Sequence, residues 1–312
     1  MLKQKPDKFG LFDTTGFDHS VLEDPNSAHL VVHHNKVLGA HLVPGLHVDV
    51  EEMEDGINAK LVLDEGITIE NPVHICFGML PEKGIQKIVM DVDIKKDSGI
   101  MIYAHCTFPF AVDVQHIMDA KIHVGENAKY TYFERHIHGK QGGVKVYPKA
   151  IVHLDKRANF KTEFELIKGR VGLIDIDYET ICRDESVMEM TARINGSGDD
   201  IIKIKEVGSL EGEGSRGVLT SRVAVRGNAR ADVYNKLTAT AAYARGHVDC
   251  KEIIQDNGIA TAIPIVEVRH PKAHITHEAA IGSVDSKELE TLMARGLNED
   301  EAVELIIEGL LS

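Results

Sequence analysis

Cys76, Cys106, Cys182 and Cys250, together with seventeen histidines, are the side chains of this 312-residue chain best suited to soft-metal or sulfur chemistry. The cysteines lie far apart with no CxxC pair, a spacing that fits neither a zinc knuckle nor a disulfide framework, so reduced thiols are expected. Cys76, Cys106 and Cys182 have no motif around them and read as core residues or surface thiols. His136 and His138, one residue apart, would share a face of a strand and are a candidate pair of metal ligands. Spacing identifies no third ligand for them, and a solvated pair is the ordinary outcome. His33-His34 is a weaker pair. Gly208, Gly212, Gly214 and Gly217 form a glycine-rich run that lacks the Gly-Lys-Ser/Thr ending of a phosphate-cradling loop. A flexible turn between strands is expected there, and ATP hydrolysis by this chain is not. The absence of Gly-x-Ser-x-Gly and His-Glu-x-x-His lowers the hydrolase and zinc-protease readings.

The elements that position these residues are mostly strands. Residues 1–45, punctuated by Pro25, Gly39, Pro44 and Gly45, show no sustained period and read as an irregular N-terminal cap. From 46 to 280 short apolar alternations dominate, as at Ile122-His123-Val124, Tyr130-Thr131-Tyr132, Val152-His153-Leu154, Val187 to Met190, Val223-Ala224-Val225 and Val266-Glu267-Val268. Two apolar residues separated by one, three turn-prone residues and then Ala recur at Ile122–Ala128, Val152–Ala158 and Val223–Ala229. A strand, a tight corner and a small inward residue suit a stacked β-coil. A β-sandwich would give many of the same strands. Residues 281–312 differ in kind. Asp285 to Glu288 and Asn298 to Glu301 have capping-box form, each followed by apolar residues at helical spacing, with Gly296 between. This helical pair carries more apolar surface than a thin appendage hides, so it needs the β body or another protein as a partner.

A composition of 43% hydrophobic and 27% charged residues supports a large core. A formal charge of -14 argues against nucleic acid and anionic membranes, which select clustered Lys and Arg. No apolar run approaches a spanning helix and Met1 to Pro6 lack a signal-peptide core, so a cytoplasmic protein is expected.

The stretch His270 to Gly282, with Asp285 to Leu289 and Leu292 to Ala302, resembles the carboxyl end of the SufB/SufD family, in which HEA-x-x-G leads into an LMSRGL-like helix and an acidic second helix. Asp249 to Ile254 and Gly258 to Pro264 are similar to the last core turns of that family. The resemblance implies a right-handed parallel β-helix, a single-stranded β-solenoid, with helical ends, paired through the β-helix as a homodimer or a SufB/SufD-type heterodimer. It also implies a transient iron–sulfur cluster held by Cys250, His277 and Glu278. A SufC-like ABC ATPase would dock on Leu289, Leu292, Met293, Arg295, Leu297, Val303 and Ile306 and hydrolyse the ATP. The sequence is shorter than the bacterial members, chiefly at the N-terminus, where they carry a helical domain, and Asn257 stands where some SufB-like sequences have a second cysteine. A short archaeal-type member serving both roles fits this form. The alternatives are a SufD-like structural partner without its own cluster and a carbohydrate-active solenoid enzyme.

Overall fold

The computed structural model describes residues 19–311. Alternation of period two becomes strands with one face buried and one facing out. In Lys129–His138, Tyr130, Tyr132, Glu134, His136 and His138 point inward, while Lys129 and Arg135 face solvent. The strands form two sheets of ten and nine; from Gly56–Leu63 onward successive strands alternate between the sheets, so that neighbours within each are every second strand of the chain. Pairing is parallel along both sheets, except for the hairpins His29–His33 with Lys36–His41 and Leu46–Glu52 with Gly56–Leu63. Strand His29–His33 also pairs in parallel with Val73–Gly78, so the ten-stranded sheet reaches back into the N-terminal segment. The result is a β-solenoid whose inner faces enclose one continuous apolar core.

The recurring sequence motif is a corner of this solenoid. The amides of Ala128, Ala158 and Ala229 donate to the carbonyls of Gly125, Asp155 and Arg226 at 3.0, 3.1 and 3.2 Å. All three alanines are buried, where a larger side chain would meet the opposite wall. Backbones with φ near 55–65° at Asn127, Arg157 and Gly227 turn the chain into the next strand. Asp97, Asn127, Arg157, Glu185, Gly214 and Tyr243 hold this left-handed geometry at successive corners, and side chains one coil apart bond across 28 to 30 residues of sequence. The coil is therefore regular in space and slightly irregular in length, which hides the repeat in the sequence.

Only Gly212 and Gly214 of the glycine run lie in a turn; Gly208 and Gly217 sit inside strands Ile201–Leu210 and Arg216–Val225. A Cβ on Gly212 would stand 2.0 Å from both the Arg183 carbonyl carbon and the Asp184 amide nitrogen of the neighbouring coil. One on Gly208 would meet the Met188 methyl at 2.2 Å. The run gives clearance between coils.

Two helices close the chain, α1 (Ser286–Met293) and α2 (Glu299–Leu311). Asp285 Oδ1 accepts from the amides of Lys287 and Glu288, both at 2.9 Å. Asn298 and Glu301 complete the reciprocal capping box, each side chain accepting from the other's amide at 2.9 Å. Val303, Ile307 and Leu311 of α2 pack on Ala224, on the outer face of the ten-stranded sheet, beside Ile167 and Ile253, and Ala302 is buried too. Each large apolar side chain buried this way contributes roughly 1.5–3 kcal/mol. Arg226 adds an ion pair to Glu304. The β body is thus the partner that this helical face requires. Among the described residues no helix is long and apolar enough to cross a membrane.

Candidate functional site

Cys250 lies on strand Arg245–Ile254 and points inward with Val248 and Glu252. The next coil in that sheet is the terminal strand His274–Ser283, which places Ala279 beside Cys250, His277 beside Val248 and Glu278 beside Asp249. Paired residues of a parallel ladder share a face, so His277 stands on the face of Cys250, one coil further out. Glu278 stands on the opposite face, where its carboxylate lies 3.6 Å from the Lys251 ammonium. The strand runs straight through 277–278, so one chain brings Cys250 and His277 to a common face and leaves Glu278 outside it. Both His277 and Glu278 are exposed, while Cys250 is fully buried.

Sequence reasoning did not find the polar lining around that thiol. Asn235 Nδ2 donates to Cys250 Sγ at 3.6 Å, and Ser221 Oγ donates to Glu252 Oε1 at 3.2 Å. Glu206 and Glu252 are both buried inside the solenoid. Burial pushes the Glu206 carboxyl up to about 8 and the Glu252 carboxyl up to about 7, and it raises the Cys250 thiol as well. The interior beneath the thiol therefore favours neutral forms. The register offers a signal that could have exposed this set: Ser221 precedes Cys250 by one coil in the same ladder.

His136 and His138 share a face, as their spacing requires, and that face is the core. They are 1% and 6% exposed, which excludes the solvated arrangement. His136 Nδ1 lies 3.1 Å from His138 Nε2, and His136 Nε2 lies 2.7 Å from Glu134 Oε1. His138 Nδ1 is 3.3 Å from the Arg170 carbonyl, to which it donates. Cys106 is the register partner of His136 on the preceding coil, and its thiol donates to Glu134 Oε1 at 3.8 Å. His116 enters from the other sheet and closes the group. Burial raises Glu134 to about 7 and lowers both His116 and His136 to about 3, so the Glu134 carboxyl donates to a neutral His136. Cys76, Cys106 and Cys182 are all buried core thiols.

The seven residues expected to receive an ATPase divide in the structure. Val303 is buried against the solenoid and Leu289 packs at the edge of that contact. Met293 and Arg295 are exposed, and Leu292, Leu297 and Ile306 are half-buried. Leu292 and Ile306 line a shallow groove between α1 and α2 with Lys287, Glu288, Thr291 and Leu305.

Residues 92–310 match the family described as SUF system FeS cluster assembly, SufBD core domain. The chain is 38% identical over 282 residues to an iron-sulfur cluster assembly SufBD family protein of Methanocaldococcus jannaschii, a match covering 90% of this chain and 89% of the relative. It is 35% identical over 301 residues to such a protein of Pyrococcus horikoshii, covering 96% and 91%. A third relative, from Archaeoglobus fulgidus, is 26% identical over 247 residues, covering 79% and 66%. The solenoid, its capped helical end and these matches agree: the chain belongs to the SufBD family.

Proposed function

We propose that this chain is a scaffold on which iron–sulfur clusters are assembled at the open C-terminal end of the solenoid. The carrying observation is the register that sets His277 one coil beyond Cys250 on a common face, at the final coil, whose strand His274–Ser283 has no buried residue. Thiolate and imidazole are suitable donors for iron, and a soft thiolate also accepts sulfur. Strand His274–Ser283 ends the ten-stranded sheet, and Ile259, Ile263, Val268 and Ile281 of the final coil are 45–48% exposed. An unpaired strand edge with apolar flanks is a surface for strand-to-strand pairing. A second copy of this chain, or a related subunit, fits it and brings a second His277 and Glu278 to the junction. A separate ABC-type ATPase docks on the exposed parts of α1 and α2. Because Cys250 is buried in one chain, cluster assembly requires the last coil to shift, and ATP-driven movement at the junction supplies that shift.

A second reading, a structural partner that binds the ATPase and holds no cluster, is favoured by the burial of Cys250 and its bond from Asn235. Transfer separates the two. The chain is incubated anaerobically with iron, sulfide, the ATPase and ATP, re-isolated, and mixed with an apo-ferredoxin. A scaffold restores the ferredoxin's visible spectrum. A chain that retains the ATPase and delivers no cluster is the structural partner.

A further inference from the structure

The interior group at Cys106 lies in the same ten-stranded sheet as Cys250 but five strand spacings away, roughly 24 Å at ~4.8 Å per spacing. One cluster cannot join the two. One ligand atom from each of Cys106, His116, Glu134 and His136 can be chosen so that all four lie within 4.8 Å of one another, and all four residues are buried. Both ring nitrogens of His116 and Glu134 Oε2 make no hydrogen bond, although each is shut off from solvent. Orphaned buried polar atoms of this kind are rare in folded chains and ask for a partner. The walls are aromatic: Phe108 stands 5.0 Å from the His116 ring and Phe164 stands 4.7 Å from the His136 ring, centroid to centroid.

We propose that Cys106, His116, Glu134 and His136 bind one divalent transition-metal ion of the zinc or ferrous class inside the solenoid, with His138 as the positioning residue for His136. The donor set of one thiolate, one carboxylate and two imidazoles is of the kind that tetrahedral sites use. Its charge also balances. On binding, the Cys106 thiol and the Glu134 carboxyl each release one proton to solvent, and the two resulting anions neutralise the dication, so no net charge is buried. No electron is transferred. Finally, the outer bonds already set the tautomer. His138 donates through Nδ1 to the Arg170 carbonyl, which leaves its Nε2 to accept from His136 Nδ1, and His136 Nε2 is then an unprotonated donor aimed at the group. Metal-bound histidines usually have their second nitrogen fixed in this way. Donors about 2.0–2.3 Å from an ion lie roughly 3.3–3.7 Å from each other. The set therefore contracts by about an ångström on binding, within reach of side-chain rotation. The site makes no use of Cys250, and the inference stands apart from the scaffold reading.

Cobalt(II) is the probe. Full-length protein is purified from cells grown with added cobalt, which admits the ion during folding, and its metal content and absorbance are compared with Cys106→Ala, Glu134→Gln and Cys250→Ser. The expected wild type carries about one tightly held ion per chain, with a near-ultraviolet sulfur-to-cobalt charge-transfer band and intense tetrahedral visible bands. Cys106→Ala and Glu134→Gln, folded by circular dichroism, lose the ion; Cys250→Ser keeps it. If Cys106→Ala does not fold, the near-isosteric Glu134→Gln decides. A folded wild type without thiolate-bound cobalt means that water meets the orphaned nitrogens, and this overturns the proposal. A band that survives Cys106→Ala overturns it equally. Parallel growth with added zinc or iron, read by elemental analysis, identifies the native ion.

Discussion

Replacing Glu206 with Gln should remove a defined pH dependence from the stability of the solenoid. Glu206 points inward from strand Ile201–Leu210, is 2% exposed, and leaves Oε2 without a hydrogen bond. Burial alone raises its carboxyl from 4.5 to about 8. Below the lower value both folded and unfolded chains hold the proton, and the residue contributes no pH dependence. Between the two values the unfolded chain has lost a proton that the folded chain keeps, so stability falls as pH rises, by about 1.4 kcal/mol per unit. Above the upper value both states are ionised and the loss levels off. Over the full window the loss amounts to roughly 5 kcal/mol, an upper bound because small rearrangements admit water. The assay is urea unfolding followed by far-ultraviolet circular dichroism from pH 5 to 8, for wild type and Glu206→Gln. The constant offset from burying an amide is not the readout. The wild-type curve should fall more steeply than the variant's by up to the slope given above. Parallel curves would show that Glu206 is ionised in the folded state and refute a neutral interior.

Other expectations follow from the packing. Gly212→Ala drives a Cβ into the neighbouring coil's backbone, 2.0 Å from Arg183 and Asp184; it should cost about 1–3 kcal/mol in the same unfolding assay, whereas a tolerant flexible turn would show no change. Ile307→Ala opens a cavity beneath α2, where Ile307 is fully buried, and should cost about 2–5 kcal/mol locally. Hydrogen exchange should rise through residues 299–311 and stay slow in the strands. All four thiols are buried, so native protein should react slowly with a maleimide. If the ATPase and ATP open the last coil, labelling should accelerate at Cys250 and at no other cysteine, and uniform acceleration would mean general unfolding.

Much of the fold was legible in the sequence because solenoid strands alternate strictly and the corners at Ala128, Ala158 and Ala229 reuse one small residue. Alternation alone did not separate solenoid from sandwich, since both are period-two surfaces and the difference lies in which strands pair. The terminal helices were legible from their caps, and their apolar face found the β body at Ala224. The site was legible only in part. Cys250, His277 and Glu278 came from resemblance, and the register then separated Glu278 from the other two by the side of the strand it occupies. The partners of His136 outside its own strand, Cys106 and His116, escaped short-range spacing because they come from the preceding coil and the other sheet. The coil length was nevertheless on view: Ala128 and Ala158 are one coil apart, and the same step back from His136 lands on Cys106, its register partner. Glu134 was on view as well, two residues before His136 on the same strand face, and His116 needed the three-dimensional arrangement.

The central claim, that clusters form at the open end through Cys250, is tested most directly by anaerobic reconstitution of wild type and Cys250→Ser with iron and sulfide in the presence of the ATPase and ATP, which open the last coil. Visible absorbance and bound iron and sulfide per chain are the readouts. Cluster absorbance in the wild type, absent from a folded Cys250→Ser and retained by Cys106→Ala, is the expected result. Normal cluster loading by Cys250→Ser would contradict the account and move the chemistry away from the final coil.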